Sequence, residues 1–428
     1  MSNRIAKAVI GAGYGDEGKG LMTDYHAAAG ASVVVRSNGG AQAGHTVTTP
    51  SGIRHVFHHI GSGALADVPT HLSRFFVVNP VVFNEELFAL KPVGTTRSTT
   101  SPQALVTTPF DMMINQIIEL QRGHGRHGSC GLGIGETEER SLRPEFRLQV
   151  SDLLSPTPKR RALLRSIRDE WVPRRLEMLG VTDIPDGFKD VLRSDDVIER
   201  FFVDCAFFMG YTTLLEDREL AGDVLFEGAQ GLLLDQDYGA FPHVTRSNTG
   251  LKNMVTIARE AGIDEIEVTY ATRAYVTRHG AGPLAHEGVD MSWLDMVDLT
   301  NQPNEWQGTI RKAPLDIDVL VAAIRHDISL AQGVKIAPVI SMSCLDQIKG
   351  RAAVVLSGNI LDVERDHIPA LVEKHSGLKV AYRSYGPTRE DVEKGNLSAE
   401  KSFASSSTRG TIPSVISLAE RNWNALAN

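Results

Sequence analysis

Apolar residues near the start of the chain fall into short runs broken at glycine. "AKAVIGA" (6–12) is continuously apolar and ends at glycine, which predicts a buried strand. "KGLMTDYHAAA" (19–29) predicts a helix that stops at Gly30, and "SVVVRS" (32–37) predicts a second, β-branched strand. Strand, glycine-rich turn, helix and strand make a βαβ unit, and such units imply a parallel sheet. Further strands are predicted at "RFFVV" (74–78), "DVLFEG" (223–228), "EIEVTYA" (265–271), "KIAPVISM" (335–342) and "AAVVL" (352–356). Several of these run into glycine-rich or polar turns, where α/β folds place their sites. "PFDMMINQIIELQR" (109–122) and much of 158–215 are helical in pattern, with "LLSPTPKR" (153–160) as the best internal linker. The expected fold is one large α/β domain over 1–428. It has a large, mostly parallel central sheet flanked by helices and a helical insertion at about 155–215.

Composition narrows the function classes. Hydrophobic residues make up 42% and charged residues 22%, ordinary for a soluble globular protein. The net charge of −8, with no long basic run, argues against nucleic acid as partner. Cys130, Cys205 and Cys344 are far apart and form no CxxC, which predicts reduced thiols in a cytoplasmic protein. No apolar run approaches the roughly 20 residues of a membrane span, so no membrane partner is expected.

Candidate chemistry begins with "GAGYGDEGKG" (11–20), a phosphate-loop pattern after the first strand. Gly13 and Gly18-Lys19 stand as in a Walker A loop, but Gly20 replaces the Ser or Thr that would hold Mg²⁺. Asp16 and Glu17 also put two acids where an anion must bind. "RSNGGAQAGHTVTT" (36–49) follows the second strand and carries His45, placed to neutralise or protonate a phosphoryl group. "FEGAQGLLLDQDYGAFPHVTRSNTG" (226–250) holds Gln230, whose amide suits the edge of a heterocycle. "ATRAYVTRHGAGPLAHE" (271–287) is another strand running into a glycine-rich turn. The histidines of "RHVFHH" lack a matching acid or cysteine at helical spacing, so no metal site is expected there.

With "GYGDEGKG", "NGGAQAGHT", "FEGAQGLLLD…YGAFPHVTRSNT" and "AYVTRHGAGP" in this order, the chain resembles the adenylosuccinate synthetase family. The resemblance implies a ligase that joins L-aspartate to the 6-oxo position of IMP, through a 6-phosphoryl intermediate, driven by GTP and Mg²⁺. Asp16 would take the purine N1 proton and bind Mg²⁺ with the Gly44 carbonyl. His45 would stabilise the leaving nucleoside diphosphate. Gly15, Glu17, Gly18, Lys19, Gly20, Thr46 and, from "SYGP", Ser384, Gly386 and Pro387 would hold the nucleoside triphosphate. Gln42, Cys130, Gln230, Leu234, Thr245 and His279 would line the purine nucleoside monophosphate site. The family is a homodimer, and Arg143 would cross to the partner's site. Thr309 and Arg311 would meet the amino acid.

The chain departs from the family at ligand-reading positions. Where the family has Thr-Lys-x-Asp for guanine, it reads "SMSCLD", with Met342 and Cys344 in place of the lysine and aspartate. Asp346 follows, expected one pleat further along the strand. ATP therefore becomes a candidate donor beside GTP. The aspartate loop, "NEWQGTIRKAPLDID" (304–318), is short and keeps only Arg311 and Lys312 as cations. Cys130 replaces a threonine and Gln42 an asparagine. Two alternatives follow: a paralogue using ATP and another purine, such as (d)GMP, or a nucleotide sensor without turnover. A phage branch that makes 2-aminoadenine nucleotides carries serine at the catalytic acid, so Asp16 argues against its substrate.

Overall fold

The computed structural model describes residues 3–126, 128–296 and 309–395. Buried strands come first, because continuous apolar runs bury on both faces of a parallel sheet. In chain order the strands are β1 (Ile5–Gly11), β2 (Val33–Arg36), β3 (His45–Thr48), β4 (Arg54–Phe57), β5 (Thr70–Leu72) and β6 (Ser98–Thr100). They continue with β7 (Thr212–Leu214), β8 (Val224–Glu227), β9 (Glu265–Arg273), β10 (Tyr275–Arg278) and β11 (Arg311–Asp316). The last are β12 (Lys335–Ser343), β13 (Arg351–Leu356), β14 (Asn359–Glu364), β15 (Val380–Ser384) and β16 (Val392–Lys394).

Ten strands form the main sheet, in the order β16-β15-β12-β9-β1-β8-β2-β5-β6-β7. Every neighbouring pair is parallel except β15–β16. The expected α/β class with a mostly parallel sheet is therefore what the chain forms. A four-stranded sheet, β10-β11-β13-β14, and the β3–β4 hairpin stand beside it. Helix α1 (Lys19–Ala28) links β1 to β2 as the pattern predicted.

One expected strand is absent. "RFFVV" (74–78) turns at Ser73–Phe76, and Val77 and Val78 make only isolated bridges to Gly40 and Val106. The strand of that region is β5, just before it. A short apolar run states burial, and Phe76 and Val78 are fully buried, but it does not state extension. Residues 153–160 are not a boundary between separate bodies: the described residues gather in one compact unit. Leu153 is buried, and the helix Thr157–Ser166 starts within that stretch. The stretch around 155–215 is helical up to Tyr211 and returns to the sheet at β7. Its Trp171, Phe201 and Phe208 share a core with Phe83 and Phe110. A second core lies under β1, β9 and β12, with Tyr270, Ile266 and Met342.

Candidate active site

The carboxyl ends of β1, β2, β8, β9, β12 and β15 all open on the same edge of the sheet, where α/β folds bind ligands. The loop after β1 carries Asp16 in a left-handed conformation (φ 62°) and enters α1 through Gly18 at φ 86°. No side chain caps α1, so its first amides are open to an anion. Gly20 has a steric reason. A Cβ there would stand 2.6 Å from the Thr46 carbonyl oxygen, because β3 packs directly on the start of α1.

The two acids of the loop do different things. Glu17 is buried: its Oε1 accepts from the amides of Gly13 (3.0 Å) and Gly15 (2.7 Å), and its Oε2 pairs with Lys19 Nζ at 2.7 Å. It organises the loop from behind. Asp16 keeps 23% of its side chain exposed, and its Oδ2 meets His279 Nε2 at 2.9 Å. Arg273 Nε donates to the Asp16 main-chain oxygen. Burial works to raise the Asp16 carboxyl, but His279, Arg273 and Lys19 outweigh it and hold it down at about 2. Asp16 is therefore an ionised carboxylate at neutral pH. Ser343, ending β12, donates to the Glu17 carbonyl at 3.0 Å and fixes the loop from the other side.

His45 opens β3 and is almost fully buried. Its Nδ1 donates to Glu227 Oε1 at 2.7 Å. Arg36 and Glu227 are register partners at the ends of β2 and β8, paired at 3.1 Å with neither exposed. Ser62 donates to the same carboxylate through its amide and hydroxyl. Burial and then Arg36 push the His45 imidazole down to about 4, against the pull of Glu227. The ring is neutral, its tautomer set by Glu227, and Nε2 has no partner among the described residues. Glu227, held at about 2 mainly by Arg36 and His45 against burial, is ionised. Sequence reading missed Glu227 and Arg36. The available signal was a charged residue ending each of two wholly apolar strands.

The remaining candidates distribute as follows. Asn38 pairs with both backbone groups of Ala229 (2.8 and 2.9 Å) and so locks the Gln42 loop to the Gln230 loop. Gln230 is left-handed at φ 65°, and the Thr245 amide donates to the Leu234 carbonyl at 2.8 Å, which brings those three into one loop. Cys130 lies in a loop that touches the His279 turn, since Gly128 abuts Gly280. Its thiol is pushed up by burial. Arg143 is exposed beside exposed Leu142. Ser384 is buried and donates to the Gly386 carbonyl at 2.7 Å, while Pro387 is exposed. Arg389, just beyond, pairs with buried Asp24 of α1 at 3.1 Å, tying this loop to the phosphate loop's helix. Thr309 is exposed; Arg311 already binds Glu287 (2.8 Å) and the carbonyls of Gly280 and Gly282. Residues 304–308 of the expected amino-acid loop lie outside the described residues.

At the β12 end the structure corrects one expectation. Cys344 is left-handed (φ 60°) and Leu345–Gln347 is a 3-10 turn, so Asp346 is not a pleat along the strand. Met342 is fully buried in the core. In the "RHVFHH" segment, Glu86 supplies the acid that spacing did not reveal. It accepts from the His58 amide (3.0 Å) and the His59 amide (2.6 Å) and lies 3.8 Å from His55. Among the described residues, no cluster of three or more His, Cys, Asp or Glu side chains is arranged to hold a metal. No described helix is long and apolar enough to cross a membrane.

An uncapped helix behind a glycine-rich loop, with an ionised carboxylate on the loop and a buried imidazole on the strand packed against the helix start, makes an α/β fold suited to holding phosphate. The family model of adenylosuccinate synthetase matches residues 8–394, and the chain belongs to that family of carbon–nitrogen-bond-forming ligases of purine biosynthesis. It is 30% identical over 390 residues to the adenylosuccinate synthetase of Clostridium botulinum (strain Eklund 17B / Type B), covering 88% of this chain and 86% of that protein. It is 35% identical over 285 residues to that of Acaryochloris marina (65% and 62% covered). Its fold is similar to the fully ligated adenylosuccinate synthetase of Plasmodium falciparum (TM-score 0.69, 18% identity, 92% of this chain and 100% of that one). It is also similar to the cyanophage S-2L succinoaminodeoxyadenylate synthetase bound to dGMP and dATP as an energy donor (TM-score 0.59, 16% identity, 92% and 95%).

Proposed function

We propose that the protein joins L-aspartate to C6 of a purine nucleoside monophosphate, IMP in the simplest case, with a nucleoside triphosphate as driver. Asp16 removes the N1 proton, and O6 attacks the γ-phosphorus, releasing the nucleoside diphosphate. The aspartate amine then attacks C6 and expels phosphate. The observation that carries this reading is an ionised, partly exposed carboxylate on the phosphate loop itself. A base in that place activates the atom that must attack the phosphate, which is a question of position. Lys19 and the α1 amides hold phosphate charge, and phosphate bound beside His45 raises its imidazole, so that Nε2 takes up a proton and donates to the leaving group while Nδ1–H stays on Glu227.

Mg²⁺ fits the donor set. Asp16 and the Gly44 carbonyl are hard oxygen donors, and an ion that takes one or two carboxylates plus phosphate oxygens needs no cluster of protein ligands. When bound, it would neutralise charge on the phosphates. Gln230, Leu234 and Thr245 hold the monophosphate, and Arg143 reaches the site of a second copy in a homodimer.

A second reading concerns the donor. Met342 is buried in the core and Cys344 carries no carboxylate, so nothing at these positions accepts from guanine N1–H and N2–H. ATP therefore serves beside or instead of GTP. Purified protein with aspartate, Mg²⁺, IMP or dGMP, and GTP or ATP decides both points by ultraviolet absorbance and mass. Product from IMP is expected, and with ATP at least as fast as with GTP. No carbon–nitrogen bond under any pairing would refute the ligase reading. Asp16→Ala is expected to be inactive while still folding cooperatively, its melting temperature lowered by a few degrees by the strain of alanine at a left-handed φ.

A further inference from the structure

Asp16 is fixed at its backbone by a left-handed φ and by Arg273 on its carbonyl. The terminal torsion of its carboxylate is broad and two-fold, so side-chain partners set its orientation. One oxygen meets His279 Nε2. The turn that presents His279 is held hard. Arg278, almost fully buried, donates to Pro283 O (2.7 Å) and His243 O (3.0 Å) and stacks on Tyr14 of the phosphate loop at 4.4 Å. Arg311 binds the Gly280 and Gly282 carbonyls. Both loops thus keep their shape through other bonds. The His279–Asp16 pair joins two side chains that each stay about a quarter exposed.

We propose that His279 is the positioning residue of Asp16: its Nε2–H holds one carboxylate oxygen and turns the other toward the purine. The inference rests on the reading of Asp16 as the base. A carboxylate that loses this hydrogen bond is in line for proton removal less of the time, and such misplacement lowers turnover rather than substrate binding.

The test compares His279→Val, which removes the donor, with His279→Gln, which returns an N–H at similar reach. Turnover of IMP and aspartate is measured together with positional isotope exchange of the triphosphate β,γ-bridge without aspartate, which reports phosphoryl transfer alone. His279→Val is expected to lower kcat and the exchange rate together, by about 10- to 100-fold. The KM for IMP should stay within about threefold, and His279→Gln should recover to within about fivefold of wild type. If the valine variant does not melt like wild type, His279→Asn, too short to reach Asp16, takes its place. A wild-type rate in the valine variant, beside an inactive Asp16→Ala, overturns the proposal and leaves the base intact. A raised KM with unchanged kcat also overturns it, making the imidazole a substrate ligand. A wild-type rate in Asp16→Ala refutes the base itself.

Discussion

At the scale of single residues, the site is a set of charges whose partners decide their form. Imidazole beside phosphate is commonly read as a cation, but His45 is buried next to Arg36 and is neutral in the unliganded protein. Its Nδ1–H belongs to Glu227, so the group that meets the leaving phosphate is Nε2. His45→Asn keeps a short polar group on β3 but cannot reach as far. It is expected to lower kcat by about 100-fold or more, with triphosphate KM within about threefold, in steady-state kinetics. A KM effect without a kcat effect would make His45 a binding residue only. Asp16 and His45 were legible because each sits in a glycine-rich motif after a predicted strand. Glu227 and Arg36 were not, although both stand at the edges of such motifs. Their roles come from the β2–β8 register, which joins residues far apart in the chain and has no sequence period.

At the scale of elements, the departure at Gly20 finds its cause in packing. Sequence alone marks it as a missing metal ligand. The structure shows that α1 starts against the backbone of β3, and any side chain at position 20 would press on Thr46 and hence on His45. Gly20→Ser, which restores the Walker A pattern, is therefore expected to damage the enzyme. Turnover should fall about 100-fold or more without tighter Mg²⁺ dependence, since moving a catalytic group by about 1 Å is enough for that loss. Mg²⁺ titration of activity checks it; gain of function would show that the position is a vacant metal site. The βαβ unit, β8, β9 and β12 were legible as apolar runs ending in turns. The short strands β5, β6 and β7 were not. Each is three residues long and owes its pairing to the neighbour already in place.

At the scale of the molecule, burial of titratable groups sets how stability follows pH. His26 and His59 lie inside the two sides of the fold and are pushed down to about 3, chiefly by burial. Both stay neutral where the unfolded chain, with ordinary histidines near pH 6.5, takes up protons. The unfolded state then binds more protons, so their contribution is present above about pH 6.5 and is lost as pH falls toward 3. Asp327 acts in the opposite sense. It accepts from the Leu251 amide and the Tyr270 hydroxyl, both at 2.8 Å, and burial raises it to about 6. It holds a proton that the unfolded chain has lost, so its contribution is present below about pH 4 and is lost as pH rises through 6. Two histidines outweigh one carboxyl. Urea denaturation should therefore give a higher midpoint at pH 7 than at pH 5. Asp327→Asn removes the opposing group while keeping an acceptor for Leu251. It should steepen the rise between pH 4 and 6 and gain up to about 3 kcal/mol over wild type above pH 7. A midpoint that falls from pH 5 to 7 would mean that the buried histidines are charged in the folded protein, which burial beside Lys7 and Arg36 opposes.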